Sequence, residues 1–299
     1  MPALFRAVAL LGKSTDDRVA SCMLNLASHL SARGLSVWVN TDVRLAFPTS
    51  TVTACEEGEF THRADLLIAI GGDGTLLRAA HLLAGRPIPL LGVNHGRLGF
   101  LTDISPSSML EDIDRILEGH YIEDPRALLE ARLLRGEVQI ARQLALNDVV
   151  VQKAGTGRIL DLQTSIDGRF VNAHRGDGLV IATATGSTAY ALSCGGPIVV
   201  PNLDVWVLAP ICPHTLSDRP LVVGADSAIE VVLDAQSGEA QVSCDGQMLG
   251  GVTHEDRLRV CKSDTRVTLL HSPDYDYYRL LRSKLHWGRG SSSNPHQKP

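Results

Sequence analysis

A chain of 299 residues exceeds the usual size of a single core, so two compact units are expected, and 44% hydrophobic with 20% charged residues excludes a largely disordered chain. The formal net charge of -5 removes the electrostatic reason to expect nucleic acid or an anionic membrane as partner, since both favour clustered Lys and Arg. Cys22, Cys55, Cys194, Cys212, Cys244 and Cys261 carry no C-x-x-C pair and no His at zinc spacing, which reads as reduced thiols and a cytoplasmic protein.

The apolar opening from Met1 to Leu11 is too short to span a bilayer and lacks a basic n-region or cleavage pattern, so Arg6 to Leu11 is read as a first buried strand. Thr15 or Asp16 then caps a helix that places Val19, Met23, Leu26 and Leu30 on one face and stops at Gly34. Leu35 to Asn40, Leu66 to Ile70 and Pro89 to Val93 are further strands, with a helix beginning near Leu76 between the last two. This alternation predicts βαβ units on a parallel sheet. Ser105-Pro106 opens another helix, with Met109, Ile113 and Ile116 facing inward.

From about Ala127 short β runs follow, broken by Gly, Asp and Asn: Glu137 to Ala145, Asn147 to Gln152, Arg158 to Ile166, Gly178 to Thr183, Ser227 to Leu233, Gln241 to Cys244 and Arg266 to Leu270. Tyr275 to Trp287 is helix-like, with Leu280, Leu281 and Leu285 on one side. The fold expected is α/β plus all-β. A Rossmann-like N-terminal α/β domain over 1–126 precedes a β-sandwich-like domain over 127–270; a C-terminal helix over 271–287 returns to the first domain, and 288–299 is a disordered tail.

Gly71-Gly72-Asp73-Gly74-Thr75 lies between a buried strand and a helix, where glycines let backbone amides approach phosphate and the helix points its positive end at the same place. A carboxylate repels phosphate, so Asp73 needs a different task. Beside a sugar hydroxyl it can accept the proton as that oxygen attacks phosphorus, or it can steer a divalent cation. The plainer alternative is a turn in which Asp73 only caps the helix. Ala7 to Ser14 also fits a permissive phosphate-loop pattern, but its apolar middle belongs to the first strand, and Lys13 is read as a surface residue.

The run from Gly176 to Pro197 is the densest cluster of small polar residues in the chain. Its hydroxyls and amides suit the edges of an adenine and its ribose, and Tyr190 offers a flat apolar face, although such a run can also be an ordinary β-to-helix connection.

Taken together, G-G-D-G-T at Gly71 to Thr75, the pair Asn147-Asp148, D-G-L-V-I-A-T-A-T-G-S-T-A-Y at Asp177 to Tyr190, and Cys244-Asp245-Gly246-Gln247 resemble the NAD kinase family, most closely its bacterial branch. The resemblance runs from about Arg6 to Trp287. The glycine loop alone is less specific, because diacylglycerol-type lipid kinases and phosphofructokinases share it. The resemblance as a whole implies ATP-dependent phosphorylation of the 2'-hydroxyl of the adenosine ribose of NAD, giving NADP. Asp73 would accept the proton and, with Gly74, touch the dinucleotide. Asn147 and Asp148 would hold the substrate ribose, the shorter Asp standing where many relatives have Glu. Arg158, Arg175 and Asp177 fall at substrate-contact positions, Asp177 facing the nicotinamide carboxamide. Thr188, Ala189, Tyr190, Ala191, Leu192 and Ser193 would line the adenosine, which Gln247 closes.

Ala184 replaces a proline common among relatives, and an Arg at position 175 goes in the family with ATP rather than polyphosphate as donor. The resemblance further implies a divalent cation, Mg²⁺ or Mn²⁺, with no metal ligands assigned in the chain, and a homodimer or homotetramer. Two rivals share part of the pattern. A diacylglycerol-type lipid kinase would keep the glycine loop but would not be expected to carry T-G-S-T-A-Y. A non-catalytic NAD(P) sensor would keep the adenosine contacts without needing Asp73.

Overall fold

In the computed structural model, which describes residues 4–13, 15–40, 52–96, 99–155, 159–215 and 217–287, the strand Leu66–Gly71 is buried at every position. Continuous apolar sequence of this kind marks a parallel strand covered on both faces. It runs parallel between Ala7–Gly12 and Leu90–Asn94, and the sheet extends through Ser36–Asn40 to Val52–Cys55. On its other side Leu269 and Leu270 pair with Leu90 and Leu91, again parallel. The helix Asp17–Ala32 packs Val19, Met23, Leu26 and Leu30 into the core, and Asp16 caps it by accepting from the Arg18 amide. Gly12 lets helix and strand meet, because a Cβ there would run into Val19 and Met23.

By its internal contacts the chain divides into two units, Met1–Asp124 with Thr268–Pro299, and Pro125–Val267. The helix Tyr277–Leu285 therefore belongs to the first unit; Asp276 caps it, Leu280 and Leu281 are buried, and Lys284 lies 5.5 Å from the centre of the Phe100 ring. The expected tail at 288–299 lies outside the described residues.

Three local expectations change. The helix after the glycine loop is Asp73–Leu83, starting before Leu76, because Gly72 takes the extended cap conformation and an acid in the first turn suits the positive helix end. The helix expected at Ser105-Pro106 begins at Met109, because the Ser105 hydroxyl accepts from the Ser108 amide and closes a turn first. Long strands Ile122–Arg135 and Asp256–His271 replace a helix-to-β boundary and a short run at Arg266 to Leu270.

The second unit holds two antiparallel sheets. One has the order Leu221–Gly224, Val205–Ile211, Gly178–Thr183, Asp148–Lys153, Ala240–Cys244, Gln247–Val252. The other joins Arg169–Gly176, Leu160–Ile166, Ile229–Leu233 and the Asp256–His271 strand, which also pairs with Ile122–Arg135 and through it Val138–Ala145. Alternation decides which side each residue serves. Val149, Val151, Leu179, Ile181 and Trp206 meet Leu129, Leu160, Ile229 and Leu258 in the sandwich core. Their neighbours Val150, Val180, Ala182 and Val207 form a separate cluster on the opposite face with Ala191 and Val199.

Candidate active site

In the first unit the glycine loop ends the Leu66–Gly71 strand and opens the Asp73–Leu83 helix, so its amides face the carboxyl end of the sheet, where α/β folds bind ligands. A cleft of about 320 Å³ lies there, lined by Leu11, Gly12, Lys13, Gly72, Gly74, Thr75 and Arg78. Lys13 is exposed as expected, yet it borders this cleft. Arg78 is held by Glu57 at 2.8 Å.

Asp73 does not cap its own helix. Its carboxylate accepts from the Phe100 amide at 2.8 Å, the Leu101 amide at 3.1 Å and the Thr102 hydroxyl at 3.3 Å. Gly99 permits this approach, since a Cβ there would collide with the Asp73 carboxylate and with Thr102. A carboxylate can accept about four hydrogen bonds, one more than these three donors supply. The sequence reading missed this loop; its signal was the glycine at position 99 directly before Phe100-Leu101-Thr102.

In the second unit Asn147 is half-buried and Asp148 is buried at the start of a central strand. Burial, and next the charge of Asp245, push the Asp148 carboxyl up to about 7, partly offset by the Tyr190 amide. The chain turns at Thr185–Thr188 and continues into the short helix Tyr190–Ser193. Ser187 holds this turn from inside, donating to the Ala184 carbonyl at 2.7 Å and accepting from the Val199 amide at 2.9 Å. The buried Arg126 guanidinium donates to Thr185 Oγ1 at 3.0 Å. Gly186 sits against Asn147, whose carbonyl would collide with a Cβ at that glycine.

The structure thus brings Asn147, Asp148 and Tyr190 together. Tyr190 is 40% exposed, whereas Ala191 is turned into the apolar cluster beneath and can offer a ligand only its backbone. Thr188, Ala189 and Leu192 are half-buried, and Ser193 is exposed. Asp177 forms an ion pair with Lys153 at 2.6 Å, and Arg175 lies 3.7 Å from Asp161. Gln247 accepts from Gln143 at 3.2 Å, at the start of its strand. Arg158 lies outside the described residues. Lys153 and Asp245 escaped the sequence reading, although Asp245 stood inside a quoted motif.

Among the described residues no three His, Cys, Asp or Glu side chains are grouped to hold a metal ion, and no helix is long and apolar enough to cross a membrane.

Residues 8–121 match the family model of the ATP-NAD kinase N-terminal domain, and residues 146–272 that of the ATP-NAD kinase C-terminal domain. The chain is 44% identical over 286 residues to an NAD kinase of Nitrosococcus oceani, covering 95% of this chain and 98% of the relative. With an NAD kinase of Aromatoleum aromaticum it shares 46% over 285 residues, 95% and 94% of the two chains. Among solved structures it is similar to yeast NADH kinase complexed with NADH, with a TM-score of 0.88 and 25% identity over 100% of this chain and 91% of that one. An NAD kinase from Archaeoglobus fulgidus in complex with ATP gives a TM-score of 0.73 and 26% identity over 94% and 98%.

Proposed function

The chain belongs to the NAD kinase family, which makes it an ATP-dependent kinase of NAD, and from that premise we propose a role for each candidate residue. The observation that carries the proposal is Asp73, set at the first turn of a helix beside a cleft lined by Gly72, Gly74 and Thr75.

The 2'-hydroxyl oxygen of the adenosine ribose attacks the γ-phosphorus of ATP. The new O–P bond forms as the bond to ADP breaks, and the hydroxyl proton passes to the free lone pair of Asp73. The donors from Phe100, Leu101 and Thr102 fix that carboxylate, so little orientation is lost at the moment of transfer. The amides of the glycine loop and the helix end take phosphate oxygens. Asn147 and Asp148 hold the ribose; at neutral pH a large share of Asp148 carries a proton, so it can donate to a sugar oxygen as well as accept. Thr188, Ala189, Tyr190, Ala191, Leu192 and Ser193 line the adenosine, Gln247 closes it, and Arg158, Arg175 and Asp177 contact the remaining dinucleotide.

The divalent cation, Mg²⁺ or Mn²⁺, enters as part of the nucleotide substrate. Nucleotide phosphates and water would supply its ligands, the usual way Mg²⁺ is bound at such sites. A cytoplasmic location is supported by six cysteines, none in a disulfide. Assembly as a homodimer or homotetramer completes the reading.

Purified protein incubated with MgATP and NAD tests it: NADP and ADP are expected in equal amounts. NAD binding without NADP formation would leave a sensor instead of a kinase.

A further inference from the structure

Asp245 and Gly246 join the strands Ala240–Cys244 and Gln247–Val252, both with positive φ, 49° and 78°. This is the pattern of a two-residue type I′ hairpin turn, for which Asn-Gly and Asp-Gly serve about equally well. The turn alone does not demand a carboxylate. That carboxylate, however, accepts from three successive backbone amides of another segment: Leu146 at 2.7 Å, Asn147 at 2.8 Å and Asp148 at 3.0 Å. Asp245 also donates its own amide to the Asp148 carbonyl at 2.9 Å.

The remaining carbonyls of the segment are taken from the opposite side. The Thr183 hydroxyl donates to the Leu146 carbonyl at 2.6 Å, and the Thr183 amide donates to the Asn147 carbonyl at 2.9 Å. The same hydroxyl accepts from the Gly186 amide at 3.0 Å, tying in the turn that leads to Tyr190. Every backbone polar group from Leu146 to Asp148 is therefore engaged without help from the Asn147 and Asp148 side chains, and the Asp148 carboxyl is left to face the Tyr190 amide.

We propose that Asp245 and Thr183 are positioning residues for NAD: a clasp that fixes the backbone of Leu146 to Asp148 so that the Asn147 and Asp148 side chains meet the substrate ribose in one orientation. The inference rests on the reading of Asn147 and Asp148 as the ribose-holding pair. A carboxylate serves better than a carboxamide because all the groups it faces are donors; an amide would present its NH₂ to an N–H. The clasp acts on the acceptor substrate only, so it separates NAD from ATP in kinetics.

Asp245→Asn keeps the turn preference and removes the charge and one acceptor. With it, KM for NAD rises about tenfold or more, while KM for ATP and kcat stay within about threefold. Thr183→Val shows the same split, and Thr183→Ser, which retains the hydroxyl, restores KM for NAD to within about twofold of the parent. Should Asp245→Asn fail to fold, the two Thr183 variants decide the matter. An unchanged KM for NAD in folded variants overturns the clasp, as does a parallel rise in both KM values or a Thr183→Ser variant no better than Thr183→Val. Asn147→Ala and Asp148→Ala are measured beside them. If these leave KM for NAD unchanged, the ribose reading fails; if they raise it while Asp245→Asn does not, only the clasp fails.

Discussion

The Asp73 carboxylate accepts a 2.8 Å hydrogen bond from the backbone amide of Phe100. The group proposed to take the proton is thus also the mooring of the chain that passes over it, and substitutions there act on chemistry and on local structure together.

Asp73→Asn is expected to lower kcat by about 10²- to 10⁴-fold, the usual worth of a general base. Steady-state NADP formation measures it, with NAD affinity taken separately by calorimetry and expected to change little. Because a carboxamide presents its NH₂ to one of the amides, the melting temperature should also fall by a few degrees. Near-parental turnover would remove Asp73 from the reaction.

Gly99→Ala inserts a methyl group against Asp73 and Thr102 without touching either side chain's chemistry. Overpacking of this kind costs about 1–3 kcal/mol, and the displaced carboxylate should cost at least about tenfold in kcat. Gly58→Ala, where a Cβ meets nothing within 4 Å, serves as the control and should match the parent. Equal activity in the two variants would show that the Gly99 approach is immaterial.

Asp148 makes stability depend on pH in a defined direction. Its folded carboxyl sits at about 7 against 3.8 for the free group, so the folded state holds the proton more tightly. This contribution is complete below pH 4 and is lost as pH rises through 7. Asp148→Asn lacks the loss, so its stability relative to the parent should improve by up to about 4 kcal/mol between pH 4 and 8. Urea unfolding at both ends reads the difference; parallel curves would contradict it.

Asp256 behaves in the opposite sense. The Arg135 guanidinium, aided by Thr253, holds its carboxyl down to about 2 against a buried background. Its stabilisation is full above pH 4 and is lost as pH falls through 2. Asp256→Asn should cost on the order of 2–3 kcal/mol at pH 7, and the gap to the parent should close in acid. A gap that persists at pH 2 would show that the pair's charge is not what stabilises the strand.

How much was readable depends on where each determinant lies. Leu66 to Ile70 declared itself because a strand covered on both faces must be apolar throughout. Asp256–His271 did not, since its buried positions change phase from Asp256, Leu258 and Val260 to Ser263, Val267 and Leu269, with polar residues among them. Ile122–Arg135 was masked too, by Pro125 and its exposed charged start. At the candidate site, Asp73 stood out because an acid among the glycines of a strand-to-helix loop is electrostatically odd for a phosphate cradle. Asp245 was not: a D-G step already explains itself as a turn, and its partners are backbone amides, which leave no trace in the residue letters.

The missing side chain at Gly186 carries a consequence for recombination. Because the Asn147 carbonyl, a backbone group that any residue there would supply, occupies the space a methyl group would need, the constraint falls on position 186 alone. A chimera of two homologues with its crossover between Asp148 and Thr183 preserves the fit only when the donor of the later piece also brings a glycine there. Library designs that shuffle this region can place their junctions freely there so long as every parent carries that glycine.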